Sequence, residues 1–371
     1  MVLGVQWAQG AIGFARRVVS GAHGQVAAAA CADPVNQMAK LPEQAQAPVH
    51  QDAIQAALTK GFGVQYWGHG YTAAELAAAH HGLLIIEAAK VGAGHSSDGR
   101  EEFFNPDEVQ TIAHHGSRPV LAYLNLSEIE TYRDYWARLQ VAGSDPAHQV
   151  NQSWIGPRSA SGEHLAQYWT PEWEAILAER VDRLMGLGFD GLFFDDVLHY
   201  YSFATDGALD WAGVAPTAPP QNAAGYARAM MQLVDRLAAR SRSTHCDAII
   251  VVNSGAFIGQ DALQNRMDFA GRDAFHTYLD AIDAIMMEDV FASQTRQPTI
   301  DVLQDEFASE GIAVLAVDFA TSFPAQDAGS LRNIVVRRAA ESGFSSYFAD
   351  DATFDRLYPP IFGPGQSDPT G

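Results

Sequence analysis

The fold is decided by residues 170–196, which read TPEWEAILAERVDRLMGLGFDGLFFDD. Thr170 and Pro171 supply an N-cap and a first helical turn, and the apolar side chains that follow share one helical face. These side chains are Trp173, Ile176, Leu177, Val181, Leu184 and Met185. A glycine-containing turn at 186–188 ends the helix, and residues 191–195 form a short apolar run. The stretch therefore predicts an amphipathic helix that packs on a sheet and leads directly into one of its strands.

The same alternation of helix and strand continues on both sides of this stretch. Short β-like runs lie at residues 63–67, 83–87, 119–124, 191–195, 248–253, 284–288, 313–318 and 345–348. Strands separated by helices pair in parallel, and eight of them favour closure over an open sheet. The sequence therefore predicts an α/β fold, a single-domain (β/α)8 TIM-type barrel with an N-terminal extension. We assign residues 1–60 to the extension, 61–360 to the barrel and 361–371 to a C-terminal tail.

Two further helix starts are predicted from capping residues. Asn105 is followed by a proline and then by an acid, Glu108, at the third helical position, which is typical of a helix N-terminus. Ser127 and Glu130 have the spacing of a capping box. We therefore expect a helix to begin after Ser127 and Glu130 to have a structural role.

The charge of the chain excludes several classes of partner. Its 371 residues include 44 acidic and 23 basic side chains, a net charge of −21. Such a charge repels phosphate backbones, so it argues against nucleic acid and favours a cationic ligand. No apolar run approaches the roughly 18 residues of a membrane-spanning helix, so we expect no membrane insertion. No clear secretory signal is readable at the N-terminus.

The sequence predicts neither a metal ion nor a cofactor. Cys31 and Cys246 can form at most one disulfide bond, and neither lies in a metal-binding spacing. No HExxH-like histidine pattern and no phosphate-binding glycine loop is present in the sequence.

Polar side chains end several of the predicted strands, where the reactive groups of a barrel enzyme lie. They are Glu87, Asp195, Asp196, Asn253, Glu288 and Asp318. A buried carboxylate costs free energy unless it is paired, so this placement indicates function. Each acid taken alone is explained as well by helix capping or by a salt bridge. The aromatic residues Tyr66, Trp67, Tyr200 and Trp211 are candidate stacking surfaces for a ligand, with core packing as the alternative.

Three segments are more specific than the general barrel pattern. They read RPVLAYLNLSEIETYRDYW at 118–136, YWTPEW at 168–173 and GFDGLFFD at 188–195. In order and spacing they resemble the endo-α-1,4-polygalactosaminidase family, glycoside hydrolase family 114. The predicted ends of strands five, six and seven resemble the same family, and the likeness covers roughly residues 61–348.

The resemblance implies an endo-acting hydrolase of α-1,4-linked galactosamine polymers that uses two carboxylates in a retaining-type mechanism. Asp195 matches the family's nucleophile and Glu288 its acid/base. The resemblance also implies a cationic amino-sugar polysaccharide as partner and an extracellular or cell-surface location. We expect the substrate to be bound by Tyr66, Trp67, Glu87, Tyr123, Asp196, Tyr200, Trp211, Asn253 and Asp318.

The chain departs from the family pattern at several positions. Leu198 stands where an acid is expected, Glu87 stands where aspartate is usual, and the turn after strand three reads Asn125-Leu126-Ser127. These differences leave two alternatives: a barrel glycosidase acting on another α-linked polysaccharide, and a carbohydrate-binding barrel without catalysis. Release of a reducing end distinguishes an enzyme from a binding protein.

Overall fold

Eight parallel strands form the main sheet, which is nearly closed into a barrel. The computed structural model describes residues 49–142, 153–158, 164–205, 209, 211, 216–292, 296–323 and 326–363. The strands are β1 (Phe62–Gln65), β2 (Leu83–Ile86), β3 (Val120–Asn125), β4 (Gly191–Asp195), β5 (Ile249–Asn253), β6 (Ala284–Glu288), β7 (Ala313–Phe319) and β8 (Ser345–Ala349). Each pairs with the next in parallel register, and β1 lies beside β8. The predicted (β/α)8 barrel is confirmed.

A helix precedes the first strand, and others follow or connect the strands on the outside of the barrel. They are α1 (Val49–Leu58), α2 (Ala73–Ala77), α3 (Pro106–Ile112), α4 (Asp134–Ala142), α5 (Pro171–Gly186), α6 (His199–Ala204), α7 (Ala223–Thr244), α8 (Ile258–Asp261), α9 (Phe269–Ala281), α10 (Gln297–Val302) and α11 (Ala328–Ser342). A π-helical turn, Leu303–Phe307, continues α10. The loops after β2 and β3 carry short strands: Ala89–Val91 pairs with Glu102–Phe103, while His164–Ala166 pairs with both Glu128–Ile129 and Ile155–Arg158.

The two helix starts predicted from capping residues have opposite outcomes. Asn105 caps α3 together with Glu108, as expected. The helix predicted after Ser127 is wrong, because the side-chain oxygen of Asn125 accepts hydrogen bonds from the backbone N–H groups of Ser127 (3.0 Å) and Glu128 (2.7 Å). This local turn satisfies the donors that a helix start would have used. The chain then enters the short strand Glu128–Ile129, and α4 begins only at Asp134.

Side chains alternate along each barrel strand between the lumen and the helix layer. The lumen is filled by buried apolar side chains that include Val64, Ile85, Leu121, Phe193, Val251, Met286 and Val317. Residues of the opposite phase, such as Phe194 and Val252, pack against the helices. Ile54 and Leu58 of α1 belong to the lumen cluster, so this helix closes the amino-terminal end of the barrel. The open end is therefore the one where the strands terminate.

Two features concern the chain outside the barrel core. Cys246 is disulfide-bonded, and Cys31 lies outside the described residues. In the described part of the chain, no helix combines the length and the apolar character needed to cross a membrane.

The first residue of β4 gives a test of the barrel packing. A Cβ added at Gly191 would overlap the backbone carbonyl of Ile249 on the neighbouring strand, whereas one added at Gly186 in α5 meets nothing within 4 Å. We expect Gly191→Ala to lower the free energy of unfolding by about 1–3 kcal/mol. The matched variant Gly186→Ala should leave it unchanged or raise it by about 0.5–1 kcal/mol, because alanine favours helix. Urea unfolding of both variants checks this, and equal effects would contradict it.

Candidate active site

Three neighbouring strands bring Asp195, Asn253 and Glu288 together at the open end of the barrel. They end β4, β5 and β6, and each is in phase with the lumen-facing residues of its strand. The side-chain amide nitrogen of Asn253 donates to Oδ1 of Asp195 at 2.7 Å and to Oε1 of Glu288 at 3.5 Å. Asn253 is buried, so one fixed amide links the two carboxyl groups.

The two carboxyl groups have different hydrogen-bond partners. Besides Asn253, Asp195 accepts a hydrogen bond from the backbone N–H of Asp196 at 2.8 Å, and the hydroxyl of Tyr123 lies close enough to donate another. Within the described ranges, Glu288 has only the long contact with Asn253. Hydrogen bonds from N–H and O–H groups stabilise a carboxylate, so the arrangement favours the anion at Asp195 over the anion at Glu288.

Burial disfavours the ionised form of both groups. It is the main cause that raises the pKa of Glu288 to about 7, followed by repulsion from Asp195. Burial and then repulsion from Asp196 raise the pKa of Asp195 to about 7, against the opposing effect of its hydrogen bonds. Two acids that repel each other across a short distance share protons, so the singly protonated pair is favoured near neutral pH.

Each of the three strands is followed by a residue with left-handed backbone. Asp196 has a φ of +59°, Ser254 of +68° and Asp289 of +53°. Such conformations are uncommon for residues other than glycine and cluster at functional sites. The turn at Asp196 ends the strand alternation, and the carboxylate of Asp196 accepts a hydrogen bond from the side chain of Asn125 at 2.5 Å. Both acids of the Asp195–Asp196 pair therefore lie near the mouth of the barrel.

Two tyrosines line the mouth beside the carboxyl groups. The ring centroids of Tyr66 and Tyr123 are 4.7 Å apart, and both rings pack near Phe193. Burial raises the pKa of Tyr66 well above its usual value, and the charges of Asp195 and Glu288 raise it further. Tyr66 therefore keeps its proton, and its hydroxyl remains a hydrogen-bond donor.

Glu87 reaches the same side of the barrel, but both of its carboxylate oxygens are engaged. One binds the buried guanidinium of Arg133 at 2.6 Å, and the other accepts the backbone N–H of Ala89 at 2.8 Å. Arg133 also binds Glu101 and Glu130, and its guanidinium lies 5.9 Å from the Tyr123 ring centroid. Glu130 therefore pairs with this arginine instead of capping a helix.

Three of the predicted substrate-binding residues have contacts that direct them elsewhere. Asp318 has the opposite phase from the lumen residues of β7, is fully buried, and accepts the backbone N–H groups of Phe291 (2.8 Å) and Ala292 (2.7 Å). Tyr200 is buried and donates to Asp261 at 2.7 Å. Trp211 packs edge-on against Phe203. The structure thus brings Asp195, Asp196, Asn253, Glu288, Tyr66 and Tyr123 together, with Trp67 at the rim.

Sequence reasoning missed three residues that shape the mouth: Asn125, Arg133 and His199. The imidazole Nε2 of His199 lies 3.7 Å from Oδ1 of Asp196, and burial lowers the pKa of this histidine to about 4. All three lie within ten residues of a strand end, and Asn125 and Arg133 also lie in segment 118–136, which carries the family resemblance. Among the described residues, no group of three or more His, Cys, Asp or Glu side chains is arranged to hold a metal ion.

Solved structures with a similar fold include Ega3 and the glycoside hydrolase domain of PelA. Ega3 of Aspergillus fumigatus, crystallised with galactosamine, has a TM-score of 0.54 and 13% identity, and the match covers 82% of this chain and 96% of Ega3. The glycoside hydrolase domain of PelA from Pseudomonas aeruginosa has a TM-score of 0.50 and 17% identity, with 82% and 98% covered. At identities this low, the likeness shows a shared fold alone.

Sequence relatives extend the comparison. An uncharacterised protein of Deinococcus radiodurans is 24% identical over 307 residues, which are 79% of this chain and 82% of the relative. One of Thermotoga maritima is 26% identical over 164 residues, and the match spans 43% of this chain and only 45% of that relative. The model of glycoside-hydrolase family GH114 matches residues 99–359, well over half of the sequence, and the chain therefore belongs to that family.

Proposed function

We propose that the protein cleaves α-1,4-linked galactosamine polymers within the chain, with Asp195 as nucleophile and Glu288 as acid/base. The observation that carries this proposal is the single amide of Asn253 shared by both carboxyl groups. Because both oxygens bind one nitrogen, they lie at most about 6.2 Å apart, the two hydrogen-bond lengths added together. Retaining glycosidases separate their carboxyl groups by about 5–5.5 Å and inverting ones by roughly 6.5–9.5 Å, so the geometry favours retention.

The hydrogen bonds support the division of roles. Asp195 is the carboxylate with the donors, so it attacks the anomeric carbon as an anion. Glu288 keeps its proton and delivers it to the glycosidic oxygen as the bond to the leaving sugar breaks. In the second step Glu288 takes a proton from water, the water oxygen attacks the anomeric carbon, and Asp195 leaves as a carboxylate. Tyr66, Tyr123 and Asp196 then serve to position the sugar.

The charge of the mouth supports an amino-sugar substrate. Asp195 and Glu288 end β4 and β6, which flank β5, and Asp196 and Asp289 follow them directly, in a chain of net charge −21. A galactosamine polymer carries ammonium groups, which such a field attracts. The galactosamine present in the Ega3 structure supports the same ligand class. A polysaccharide of this kind places the site of action outside the cell or at its surface, which is part of this proposal.

The direct test is incubation with a panel of α-linked amino-sugar and neutral-sugar polymers. We expect new reducing ends and a broad range of product sizes by mass spectrometry from the deacetylated galactosamine polymer, with retained anomeric configuration by NMR. Cleavage of neutral polymers alone would show instead a glycosidase that acts on another α-linked polysaccharide. Binding without new reducing ends would show a carbohydrate-binding barrel.

The carboxyl pair gives the first prediction on activity. Asp195→Asn and Glu288→Gln should each reduce kcat by about 10²–10⁴-fold, because each removes a group that acts on the reacting bond. Neither variant should lower the melting temperature. The exposed acid Glu341 on α11 provides a matched control, since Glu341→Gln removes the same charge away from the mouth. Normal turnover in both mouth variants would refute the assignment.

The raised pKa of Glu288 predicts a pH-dependent effect on stability. Its folded pKa of about 7 exceeds the unfolded value of about 4.3, so the native state binds the extra proton between these values. This contribution to stability is fully present below pH 4 and is lost as the pH rises through 7. Glu288→Gln cannot ionise, so its melting temperature should exceed that of the wild type at pH 8 and match it near pH 4.5. Thermal melts at both pH values check this; an equal difference at both would count against it.

Ionic strength separates long-range attraction from local recognition. Attraction between exposed charges is screened over about 8–10 Å at physiological salt. We expect added salt to lower kcat/KM on the deacetylated polymer more than it changes kcat, with a smaller effect on a matched acetylated polymer. Initial rates across a salt series provide the measurement, and a flat response on the deacetylated chain would show that the net charge has no part in capture.

A further inference from the structure

Trp67 is a large aromatic side chain left exposed at the rim of the barrel mouth. It follows β1 directly, and 58% of its surface is accessible. Burying a side chain of this size would stabilise the fold by roughly 1.5–3 kcal/mol or more. The indole is nevertheless held in place, because its Nε1–H donates to the backbone carbonyl of Thr353 at 3.0 Å. The polar edge is thus satisfied by the protein, and the ring surface is available to a ligand.

The loop that carries Trp67 is fixed by a buried glutamine. The side-chain amide of Gln65, which is 1% exposed, donates to the carbonyls of Trp67 (3.0 Å) and His69 (2.7 Å). The backbone N–H groups of Tyr66 and His69 in turn bind the segment after β8, at the carbonyls of residues 354 and 355. A rigid loop of this kind preorganises the side chain that it presents.

The loop that carries Trp67 requires a glycine at the next position. Gly68 has a φ of +91°, and a Cβ at this position would overlap the backbone carbonyl of Asp355. Only glycine therefore permits both the left-handed turn and the close approach to the segment after β8. Contacts between the loop after β1 and the segment after β8 therefore hold the indole in one orientation.

The position of Trp67 connects it with the carboxyl pair. The preceding residue, Tyr66, lies close enough to Asp195 and Glu288 for both charges to raise its pKa. Trp67 therefore lies on the same mouth, on the β8–β1 side and across the barrel from β4 and β5. A sugar chain that passes over the carboxyl pair toward this side reaches the indole.

The charges around the indole select the ligand. The adjacent segment contributes Asp350, Asp351 and Asp355 against one cation, Arg356, which binds Asp355. A tryptophan face is the aromatic surface that best attracts a cation. Tyr132 is another exposed aromatic residue at the rim, but the guanidinium of Arg133 already lies 4.8 Å from its ring centroid and occupies that face of the ring.

We propose that Trp67 is the platform of an outer subsite that binds an ammonium-bearing hexosamine unit of the polymer, away from the bond that is cleaved. This inference rests on the proposed function, and it adds the place where a charged unit is recognised. The indole contributes apolar contact with the sugar ring and attraction for its ammonium group, while the carboxyl pair performs the chemistry.

The test compares Trp67→Ala and Trp67→Phe with the wild type on long deacetylated polymer and on the shortest oligomer that is cleaved. We expect Trp67→Ala to raise KM for the polymer about 3–10-fold with kcat nearly unchanged, and to have little effect on the short oligomer. Trp67→Phe keeps an aromatic ring face, so its KM for the polymer should lie between those of the wild type and Trp67→Ala. Phe269→Ala removes an aromatic side chain of similar exposure (62%) from the start of α9 and should leave KM unchanged.

A binding measurement separates this inference from the proposed function. Calorimetry with Asp195→Asn, alone and combined with Trp67→Ala, uses matched deacetylated and acetylated polymers without turnover. A greater loss of affinity for the deacetylated polymer supports the subsite, whether or not the wild type cleaves that polymer. An equal loss for both polymers would overturn the charged ligand, and an unchanged affinity and KM would overturn the subsite. Wild-type protein that neither binds nor cleaves the polymer would overturn both proposals, whereas cleavage with an unchanged KM in Trp67→Ala would overturn this inference alone.

Discussion

The alternation of side chains along parallel strands is the constraint on which the whole site depends. In a barrel, every second side chain of a strand points into the lumen and the others contact the helices, so the surroundings of a residue follow from its position along the strand. Phe193, Val251 and Met286 occupy the lumen, and the residue two positions further along each strand is Asp195, Asn253 or Glu288. Three neighbouring strands thereby deliver two acids and an amide to one place without any special loop.

The same packing makes these acids costly to ionise. Apolar side chains lie directly beneath them, and repulsion adds to the desolvation that raises their pKa values. The fold offsets this cost unequally, since Asp195 has several donors and Glu288 one distant amide. That inequality, and not the acids as such, distinguishes the anion from the proton donor. The guanidinium of Arg133 is engaged by Glu87, Glu101 and Glu130, so its charge is compensated within the neighbouring loops.

The sequence predicted the barrel because its strands are short apolar runs separated by helical segments, of which α5 has the clearest amphipathic pattern. All eight predicted strands overlap the observed ones, and α5 occupies the stretch that carries the amphipathic pattern. Apolar residues fill both faces of β7, so the sequence alone did not show that Asp318 lies on the helix-facing side with Val314 and Ala316. The prediction at Ser127 failed because Asn125 supplies a competing local turn. Arg133 went unnoticed because its partners come from distant parts of the chain, such as Glu87 and Glu101.

The left-handed residues after β4, β5 and β6 restrict how this mouth can diverge in sequence. Asp196, Ser254 and Asp289 occupy a backbone region that glycine, asparagine and aspartate tolerate and that β-branched residues avoid. Backbone conformation therefore restricts the residue types at these three positions, whatever chemical role their side chains have. A library that randomises these three positions would recover a narrow set of residues dominated by glycine, asparagine and aspartate, whereas the lumen-facing residues directly before them are restricted by the chemistry that we propose for them.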